Sequence, residues 1–330
     1  MDADFLFSFF FLRASAQVCV PKISRATQLL QSNSIKVASE AAIGIAAYMP
    51  MIIALILVVV AFIAALAYWE FVVAEGVHLG PRIVILLYDL VSRRYDSIKQ
   101  FDPAYEDLFL SDPLVLALRD VRAPFVLDVA TGTGRLPRSL LAQADFHGRV
   151  IGLDGSRRML AQAARTAPST GDMAERLTLI WQDAGHLPFD DGTFDAVTCL
   201  EALEFMPNTR RAIRELVRVL RPGGVALLTN RVGPWRKFLP GHTQSPPAFE
   251  TLLGSLGLEQ IKTQAWQLEY DLVWAVKPGK GMSGAARPLP DVLRCPRCKG
   301  NLSSGDASLV CAACNRVFPI ASDGVIEMMR

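Results

Sequence analysis

The chain has almost no net charge and no internal repeats. Its 34 lysines and arginines face 32 acidic residues, which leaves a formal charge of +2 over 330 residues. A protein that binds nucleic acid normally shows a basic excess that matches the phosphate backbone, so nucleic acid is not favoured as a partner. Cysteine is also scarce, and four of the six cysteines fall close together near the C-terminus. The length allows two domains and an additional anchor.

Charge is missing altogether between Ala41 and Trp69, and Met51–Trp69 is a run of 19 consecutive apolar residues. At about 1.5 Å per residue, a helix of this length spans roughly the 30 Å hydrocarbon core of a bilayer. Tyr48 and Tyr68 lie at the two ends, where aromatic residues meet the membrane interface. The pattern therefore predicts one transmembrane helix.

A buried core helix and a cleaved signal sequence are the alternatives for this apolar run. A signal sequence has a shorter apolar region and lies closer to a basic N-terminus. Here the chain starts with acidic residues, Asp2 and Asp4, and the uncharged stretch begins only at Ala41. Within the preceding 40 residues, Phe5–Leu12 is apolar but too short to span a membrane, and we expect residues 1–40 to form a mobile tail.

A glycine loop follows the apolar run Val126–Val129 and leads into a helical pattern from Arg135 to Ala144. This order predicts a buried parallel strand that feeds a helix through a nucleotide-binding loop. Gly132 and Gly134 would let the backbone approach a ligand without a Cβ atom in the way. The third glycine of the dinucleotide fingerprint is missing, since Pro137 stands there, so the sequence argues against a nicotinamide cofactor.

Further strands alternate with helices downstream of this loop. The predicted strands are Val150–Leu153, Leu177–Trp181, Phe194–Leu200 and Gly224–Thr229. This alternation predicts an α/β fold with a doubly wound, mostly parallel sheet, in which ligands bind beyond the carboxyl ends of the strands. Asp128, Asp154 and Asp183 all lie at such ends, and Asp154 follows Gly134 by the 20 residues expected of a carboxylate that holds a ribose. Taken singly, each aspartate could be a mere helix N-cap.

The ordered series resembles the class I S-adenosylmethionine-dependent methyltransferases over roughly residues 85–277. The matching segments are Asp128–Gly134, Gly152–Asp154, Asp183–Ala184 with Leu187–Phe189, Phe194–Asp195 and Leu220–Gly224. Ala130 stands where many members of the family have glycine, and a small residue still fits there. Upstream, the pattern from Tyr88-Asp89 to Tyr95-Asp96 looks like the N-terminal segment of the branch that methylates quinones and related small molecules.

The resemblance implies a role for each matching position. Asp128 would orient the amino group of the cofactor, and Gly132 and Gly134 would pass under its methionine part. Asp154 would accept hydrogen bonds from the ribose hydroxyls, Asp183 would accept one from the adenine amino group, and Leu200 would lie near the methyl donor. The implied cofactor-binding set is Asp128, Ala130, Gly132, Thr133, Gly134, Asp154, Gly155, Asp183, Ala184 and Leu200.

Methyl transfer from a sulfonium is an in-line displacement, so positioning does most of the work and a base is needed only if the acceptor carries a proton. Glu201, Glu204 and His186 follow strand ends near the expected methyl donor and are the candidate catalytic groups. For the two glutamates, a capping or surface role is the alternative. The fourth strand is followed by Leu200–Leu203 and not by an Asn-Pro-Pro-Tyr segment, which counts against methylation of amide or adenine amino nitrogen.

Two C-x2-C pairs, Cys295 with Cys298 and Cys311 with Cys314, stand 12 residues apart near the C-terminus. This spacing predicts a tetrahedral structural Zn²⁺ site, with two disulfides or free core cysteines as the alternatives. A segment of about 40 residues has too little core to fold securely alone, and a metal would supply the missing stability. Residues Leu293 to Met328 resemble a Trm112-like zinc ribbon, a module that often stabilises a methyltransferase as its partner.

The predicted organisation has five parts. These are a tail (1–40), a transmembrane helix (41–73), a class I methyltransferase domain with a Rossmann-like sheet (80–277), a linker (278–290) and a small zinc-ribbon module (291–330). The charges on either side of the span do not orient it. The cofactor is cytosolic and the thiols need a reducing compartment, so we expect a single-pass membrane protein with both folded modules in the cytosol.

The leading functional hypothesis is a membrane-anchored methyltransferase that uses S-adenosylmethionine and carries a structural Zn²⁺. The anchor would hold the site near acceptors dissolved in the bilayer, which favours a small lipophilic acceptor such as a quinone precursor or a lipid. Two alternatives stay open at this point. The first is an RNA or protein methyltransferase, which the ribbon suggests, and the second is a cofactor-binding scaffold at the membrane that transfers no methyl group.

Overall fold

The computed structural model describes residues 25–167, 172–282 and 287–329. The chain divides into two compact units, Met1–Ala65 and Leu66–Arg330. The expectations for residues 1–24, including the apolar stretch Phe5–Leu12, lie outside the described residues.

A long helix, α1, runs from Arg25 to Tyr68 and continues as a π-helical turn, Trp69–Val73. It begins well before residue 41, where the sequence analysis placed the start of the span, and it carries Pro50 in its interior. Within the described residues, Tyr48–Val73 is the one segment long and apolar enough to cross a membrane, by length and composition alone. The predicted apolar helix is therefore present.

Four short helices lead from this segment to the sheet. They are α2 (Pro81–Val91), α3 (Tyr95–Lys99), α4 (Pro103–Glu106) and α5 (Asp112–Leu118), with 3-10 turns at Val77–Leu79 and Ser92–Arg94 and a π-helical turn at Asp107–Ser111. Helix α2 begins at a Gly80-Pro81 pair, in which glycine takes a φ of +93° and proline occupies the first helical turn, as both residues favour. Asp102 caps α4 by accepting a hydrogen bond from the Ala104 amide at 3.0 Å.

Eight strands form one mixed sheet in the order β11-β3-β2-β1-β4-β5-β7-β6. The strands are β1 (Phe125–Val129), β2 (Arg149–Asp154), β3 (Leu177–Trp181), β4 (Phe194–Cys199), β5 (Leu220–Arg231), β6 (Glu259–Ala265), β7 (Tyr270–Val276) and β11 (Ile326–Glu327). The first five and β11 run parallel, and β7 pairs antiparallel with both β5 and β6. Every residue of β1 and β4 is buried, as expected of central strands covered on both faces. The predicted doubly wound sheet is confirmed.

The helices that alternate with these strands are α6 (Arg135–Ala142), α7 (Arg157–Thr166), α8 (Asp172–Arg176), α9 (Thr209–Val219) and α10 (Pro246–Ser255). Ser156 caps α7 by accepting from the Met159 amide at 3.1 Å, and Asn208 caps α9 in the same way. Helix α7 begins three residues after β2 ends, so its N-terminus lies at the carboxyl edge of the sheet.

The C-terminal segment forms a short helix, α11 (Leu289–Val292), and a separate antiparallel sheet in the order β10-β9-β8. Its strands are β8 (Leu302–Gly305), β9 (Ser308–Cys311) and β10 (Val317–Pro319). The chain then returns to the main sheet, where β11 pairs in parallel with β3 and the Met328 amide donates to the Trp181 carbonyl at 3.0 Å. Leu309 and Phe318 share one buried cluster with Ile180 of β3, so the ribbon and the sheet have a continuous core.

Arg157, in the first turn of α7, fastens this returning strand. Its guanidinium donates to both carboxylate oxygens of Asp323 at 2.9 and 2.8 Å and to Glu327 at 3.1 Å. Paired hydrogen bonds of this kind are both strong and geometrically specific. One side chain thus ties the helix after β2 to both ends of the segment that forms β11.

Replacing Arg157 with methionine should loosen the C-terminal segment. We expect the free energy of unfolding to fall by about 1–3 kcal/mol, because two partly buried carboxylates lose their donor. Thermal unfolding of the full chain in nanodiscs and the rate of proteolysis within residues 278–290 would measure the change. Arg165→Met is the matched control, since among the described residues Arg165 in the same helix donates to Gln162 and to no carboxylate. Equal destabilisation by the two variants would contradict the assigned role of Arg157.

Candidate functional site

A cavity of about 360 Å³ opens at the carboxyl ends of β1, β2, β3 and β4. The strand ends contribute Ala130, Gly132, Leu153, Asp154, Gly155, Gln182, Asp183, Ala184, Leu200, Glu201 and Ala202. The remaining wall comes from α2, from Tyr95, from the turn after β4, from Ser156 and Met159 at the start of α7, and from Met329. A smaller cavity of about 40 Å³ shares Gly132 and Leu200 with it and extends to Asp128 and Thr133.

Nine of the ten predicted cofactor-binding residues line one or both of these cavities. The exception is Gly134, at which a Cβ atom would approach the Cβ of Ala163 to 3.3 Å. Gly134 also has a φ of +80° at the start of α6, so its position suits a glycine for close packing between helices. The structure therefore brings the predicted set together, and the individual roles remain predictions.

The loop after β1 turns with a left-handed backbone at alternate residues, with φ of +58° at Ala130 and +56° at Gly132. Alanine in this region carries a strain of roughly 1–2 kcal/mol, which glycine avoids. A Cβ atom on Gly132 would meet no atom within 4 Å, so it would project into the open cavity. A side chain at Gly132 would consequently occupy space that a bound ligand could use.

Asp154, at the end of β2, holds this loop in place. One carboxylate oxygen accepts from the Gly132 amide at 2.8 Å and the other accepts from the Ser156 amide at 2.7 Å. Desolvation raises the pKa of Asp154 to about 6, although both amides favour the ionised form. The carboxylate is therefore mostly ionised near neutral pH and becomes protonated in mild acid.

Asp128 is a second buried carboxylate at the edge of the site. It accepts hydrogen bonds from the hydroxyls of Thr131 and Thr198, both at 2.6 Å. Burial raises the pKa of Asp128 to about 6, and the two hydroxyls partly offset this effect. The site thus contains two carboxylates whose charge changes slightly below neutral pH.

Glu201 is the one candidate catalytic residue of the three that lines the large cavity. It follows β4 with a φ of +51°, and its amide donates to the Thr229 hydroxyl at 2.6 Å. Its carboxylate pairs with Arg135 at 3.0 Å and with Lys99 at 3.3 Å. Burial opposes its ionisation, but these two cations outweigh burial and lower the pKa of Glu201 below its usual value. Glu201 is therefore a carboxylate at neutral pH.

The other two candidates lie outside the lining of the large cavity. Glu204 is buried in a separate small cavity, where it accepts a hydrogen bond from the Tyr270 hydroxyl, and burial raises its pKa. His186 is half-exposed and pairs through Nδ1 with Asp183 at 3.2 Å, while its Nε2 contacts Arg211. Glu204 therefore lies in a different cavity, and His186 contacts the cavity-lining residue Asp183 without lining the cavity itself.

Tyr88, Tyr95 and Phe205 form the aromatic part of the cavity wall. The Tyr88 hydroxyl donates to Glu75 at 2.6 Å, and the Tyr88 ring meets Phe205 edge-on at 5.8 Å between centroids. Desolvation raises the pKa of both Tyr88 and Tyr95 above the usual value for a phenol. Both hydroxyls therefore stay protonated at neutral pH, and the Tyr88 proton is donated to Glu75.

Sequence analysis did not identify three of the contributors to this site. Lys99 and Arg135 act through Glu201, from which they are separated by 102 and 66 positions in the chain. Met329 lines the cavity next to the end of β3, and it arrives there because β11 pairs with that strand. No local pattern signals an ion pair or a strand pairing over such distances.

The four C-terminal thiols form a second candidate site. The sulfur atoms of Cys295 and Cys314 are 3.7 Å apart, those of Cys298 and Cys311 are 3.4 Å apart, and all four lie within 4.8 Å of one another. A disulfide requires about 2.05 Å. Tetrahedral bonds of 2.3 Å to zinc place the sulfurs about 3.8 Å apart. The predicted cluster is thus confirmed as a group that could hold a zinc ion, and the structure contains no disulfide among these four residues.

Comparison with known families agrees with this geometry. Residues 127–228 match the methyltransferase-domain family, and residues 287–323 match the family of Trm112p-like proteins. Both resemblances drawn from the sequence are confirmed: residues 127–228 form a domain of the methyltransferase family, and residues 287–323 form a Trm112-like module.

Relatives of known name include a demethylmenaquinone methyltransferase from Symbiobacterium thermophilum, which is 32% identical over 46% of this chain and 61% of the relative. The ubiquinone/menaquinone biosynthesis C-methyltransferase UbiE of Desulfotalea psychrophila is 31% identical over 52% of this chain and 65% of the relative. The chain thus spans less than two thirds of either relative. A solved S-adenosylmethionine-dependent methyltransferase from Aquifex aeolicus has a TM-score of 0.42 at 19% identity, covering 54% of this chain and 95% of that one.

The purified full chain should contain about one zinc ion per molecule, measured by atomic emission. Replacing Cys298 with serine should remove most of that zinc and expose residues 291–329 to protease, because a closed four-sulfur site loses an anionic ligand. Cys199→Ala is the control, since Cys199 is buried in β4 away from the cluster. Full zinc content in the Cys298 variant would contradict the assignment.

Proposed function

We propose that this protein is a membrane-anchored S-adenosylmethionine-dependent methyltransferase that acts on a small lipophilic acceptor of the quinone-precursor class. One observation carries the proposal. The same cavity has polar strand ends suited to the cofactor on one side and an apolar, aromatic wall on the other. Helix α2 supplies part of that wall, and it starts eight residues after the apolar segment Tyr48–Val73 ends.

The chain's own residues fit the cofactor. Gly132 leaves open space above the loop, and Asp154 lies beside it with both oxygens already oriented by backbone amides. We assign Asp154 to the ribose hydroxyls, Asp128 to the methionine amino group, and Asp183 with the Ala184 amide to the adenine. When bound, the cofactor supplies an electrophilic methyl group on a sulfonium.

The aromatic wall suits a phenolic acceptor. Tyr95 remains protonated, so it can donate a hydrogen bond to an acceptor oxygen, while Tyr88, whose proton is donated to Glu75, can accept one from a phenolic hydroxyl; together they can fix the orientation of the acceptor ring. For methylation at carbon, the cofactor that Asp128, Asp154 and Asp183 would hold would supply its methyl group to a ring carbon of the acceptor. The proton on that ring carbon then leaves to the carboxylate of Glu201. Because the pKa of Glu201 is lowered, Glu201 is a weak base, and positioning provides most of the rate enhancement.

The names of the relatives support this acceptor class, since demethylmenaquinone is an aromatic quinone with an apolar tail. An anchor would keep such a site beside molecules that dissolve in the bilayer. We place the enzyme domain and the ribbon in the cytosol, where the cofactor and a reducing environment for the thiols are found. An RNA or protein acceptor was suggested only by the resemblance of the C-terminal ribbon to a Trm112-like module. Because it completes one edge of the sheet, its presence requires no macromolecular substrate.

Replacing Asp154 with asparagine should weaken cofactor binding at least tenfold in isothermal titration calorimetry. The amide keeps the size of the side chain but loses the charge and one acceptor for the ribose hydroxyls. Asp145→Asn serves as the control, because Asp145 is exposed in the turn before β2. Unchanged affinity in the Asp154 variant would remove the main support for the assigned cofactor site.

Cofactor affinity and ligand-free stability should respond to pH in opposite directions. As the pH falls through about 6, Asp154 becomes protonated and cofactor affinity should fall by up to tenfold per pH unit. A carboxyl whose pKa is raised on folding stabilises the folded state at low pH and loses that contribution as the pH rises through about 6. Calorimetry and thermal unfolding between pH 5 and 8 would test both trends. If cofactor affinity and stability changed with pH as steeply in Asp154→Asn as in the native protein, the pH dependence would come from a group other than Asp154.

Turnover should depend on Glu201 and not on His186. With labelled cofactor and a membrane lipid extract, we expect Glu201→Gln to reduce the rate of methylation about 100-fold while cofactor affinity stays within threefold. His186→Gln should retain the native rate because its ring lies outside the cavity lining. Label found only in RNA or protein fractions would refute the lipophilic acceptor. Cofactor binding without turnover on any fraction would favour a scaffold.

A further inference from the structure

Helix α2 presents an apolar face that the described residues leave uncovered. Leu86 and Leu90 are 50 and 65% exposed and follow the half-buried Ile83 at helical spacing, and Leu79 in the preceding 3-10 turn is 51% exposed. Large aliphatic side chains in such a continuous stripe are unusual on a surface that faces only water. This stripe, which we call the outer face of α2, therefore calls for a partner.

The opposite side of the same helix forms the cavity wall. Val84 is buried, and Ile85 and Tyr88 line the cavity together with it. A single helix thus separates the proposed acceptor site from the exposed stripe. Whatever covers the outer face lies within about 10–12 Å of the cavity, which is the diameter of a helix with its side chains.

The chain itself indicates which partner is available. The apolar span ends at Val73, and α2 starts at Pro81. Even a fully extended connection of this length would reach only about 25–29 Å. The connection is in fact folded: Ala74 and Val77 are buried against Leu239, and the Trp69 ring stacks on His78 at 5.2 Å. If the span crosses a bilayer, α2 must lie close to the surface of that bilayer.

A second exposed patch, which is aromatic, contacts Trp69 at the end of the span. The ring of Phe238 meets Trp69 at 6.2 Å and Trp235 at 6.0 Å, and both Phe238 and Trp235 are exposed. Arg236 and Lys237 stand between them in the same turn. Tryptophan with neighbouring basic residues is the composition that favours the headgroup region of a membrane, where rings enter the interface and cations meet lipid phosphates.

We propose that the outer face of α2 and the turn Pro234–Phe238 rest on the bilayer surface, so that a lipophilic acceptor reaches the cavity from the lipid phase alongside α2. The inference rests on the proposed membrane anchor and deepens the proposed function by giving the acceptor its route. It explains why the helix that carries the cavity wall follows the span so closely and why its other side is apolar.

Quenching by lipids with brominated acyl chains tests this contact directly. The full chain would be reconstituted in phosphatidylcholine–phosphatidylglycerol vesicles with a tryptophan at position 86 (Leu86→Trp) or, as the matched control, at position 116 (Leu116→Trp). Leu116 is 61% exposed in α5, which leads to the start of β1 and hence to the sheet edge opposite the cavity. We expect the Leu86 variant to add strongly quenched emission over the native protein and the Leu116 variant to add emission that is not quenched.

Equal quenching of the two added tryptophans would overturn the proposal. So would an absence of quenching at position 86, which is the result expected if another protein covers the helix. A second measurement uses Leu86→Glu/Leu90→Glu. We expect the KM for a long-tailed quinol in vesicles to rise at least tenfold, while the KM for a water-soluble short-chain analogue and the affinity for the cofactor stay unchanged. Quenching is independent of turnover, so a protein that shows the contact but never methylates would refute the proposed function and leave this surface intact.

Discussion

The hydrogen bond from the Gly132 amide to Asp154 is the interaction on which the site depends. It holds the loop after β1 against the end of β2, and it helps to keep ionised a carboxylate whose pKa is raised by desolvation. Since the Ser156 amide binds the other oxygen, the same side chain also fixes the start of α7. A loop, a strand end and a helix N-terminus thus share one buried charge, and the floor of the cavity follows from their arrangement.

The parts of the fold that were predicted correctly have local causes. β1 to β4 are short, mainly apolar runs of five or six residues, and β5 contains the apolar run Val225–Leu228 after a Pro-Gly-Gly turn signal, so each signal lies within a few residues of its strand. Such strands meet their ligands at the carboxyl edge whatever the details of packing, so the predicted cofactor residues converge. Most of the candidate site could therefore be placed from sequence alone.

What was missed depends on contacts between distant residues. β6 is largely polar and exposed, so it lacks the alternation that marks a half-buried strand and becomes a strand only by pairing with β7. The ion pairs of Glu201 with Lys99 and Arg135 form only once α3, α6 and β4 are in place. Of the three proposed catalytic groups, the sequence could not separate the one in the cavity from the two beside it, since all three follow strand ends.

The two residues of β11 have a consequence for solubility. A strand at the edge of a parallel sheet offers unpaired amides and carbonyls that can recruit a second molecule, and β3 would be such an edge without Ile326 and Glu327. β11 itself has only two residues, which is too short to act as a template for a further strand. The cysteine-bearing module therefore protects β3 of the main sheet against pairing with a strand of another molecule. A chain truncated before the cysteine-bearing module would lose the metal site and would also expose the edge of β3, which favours aggregation.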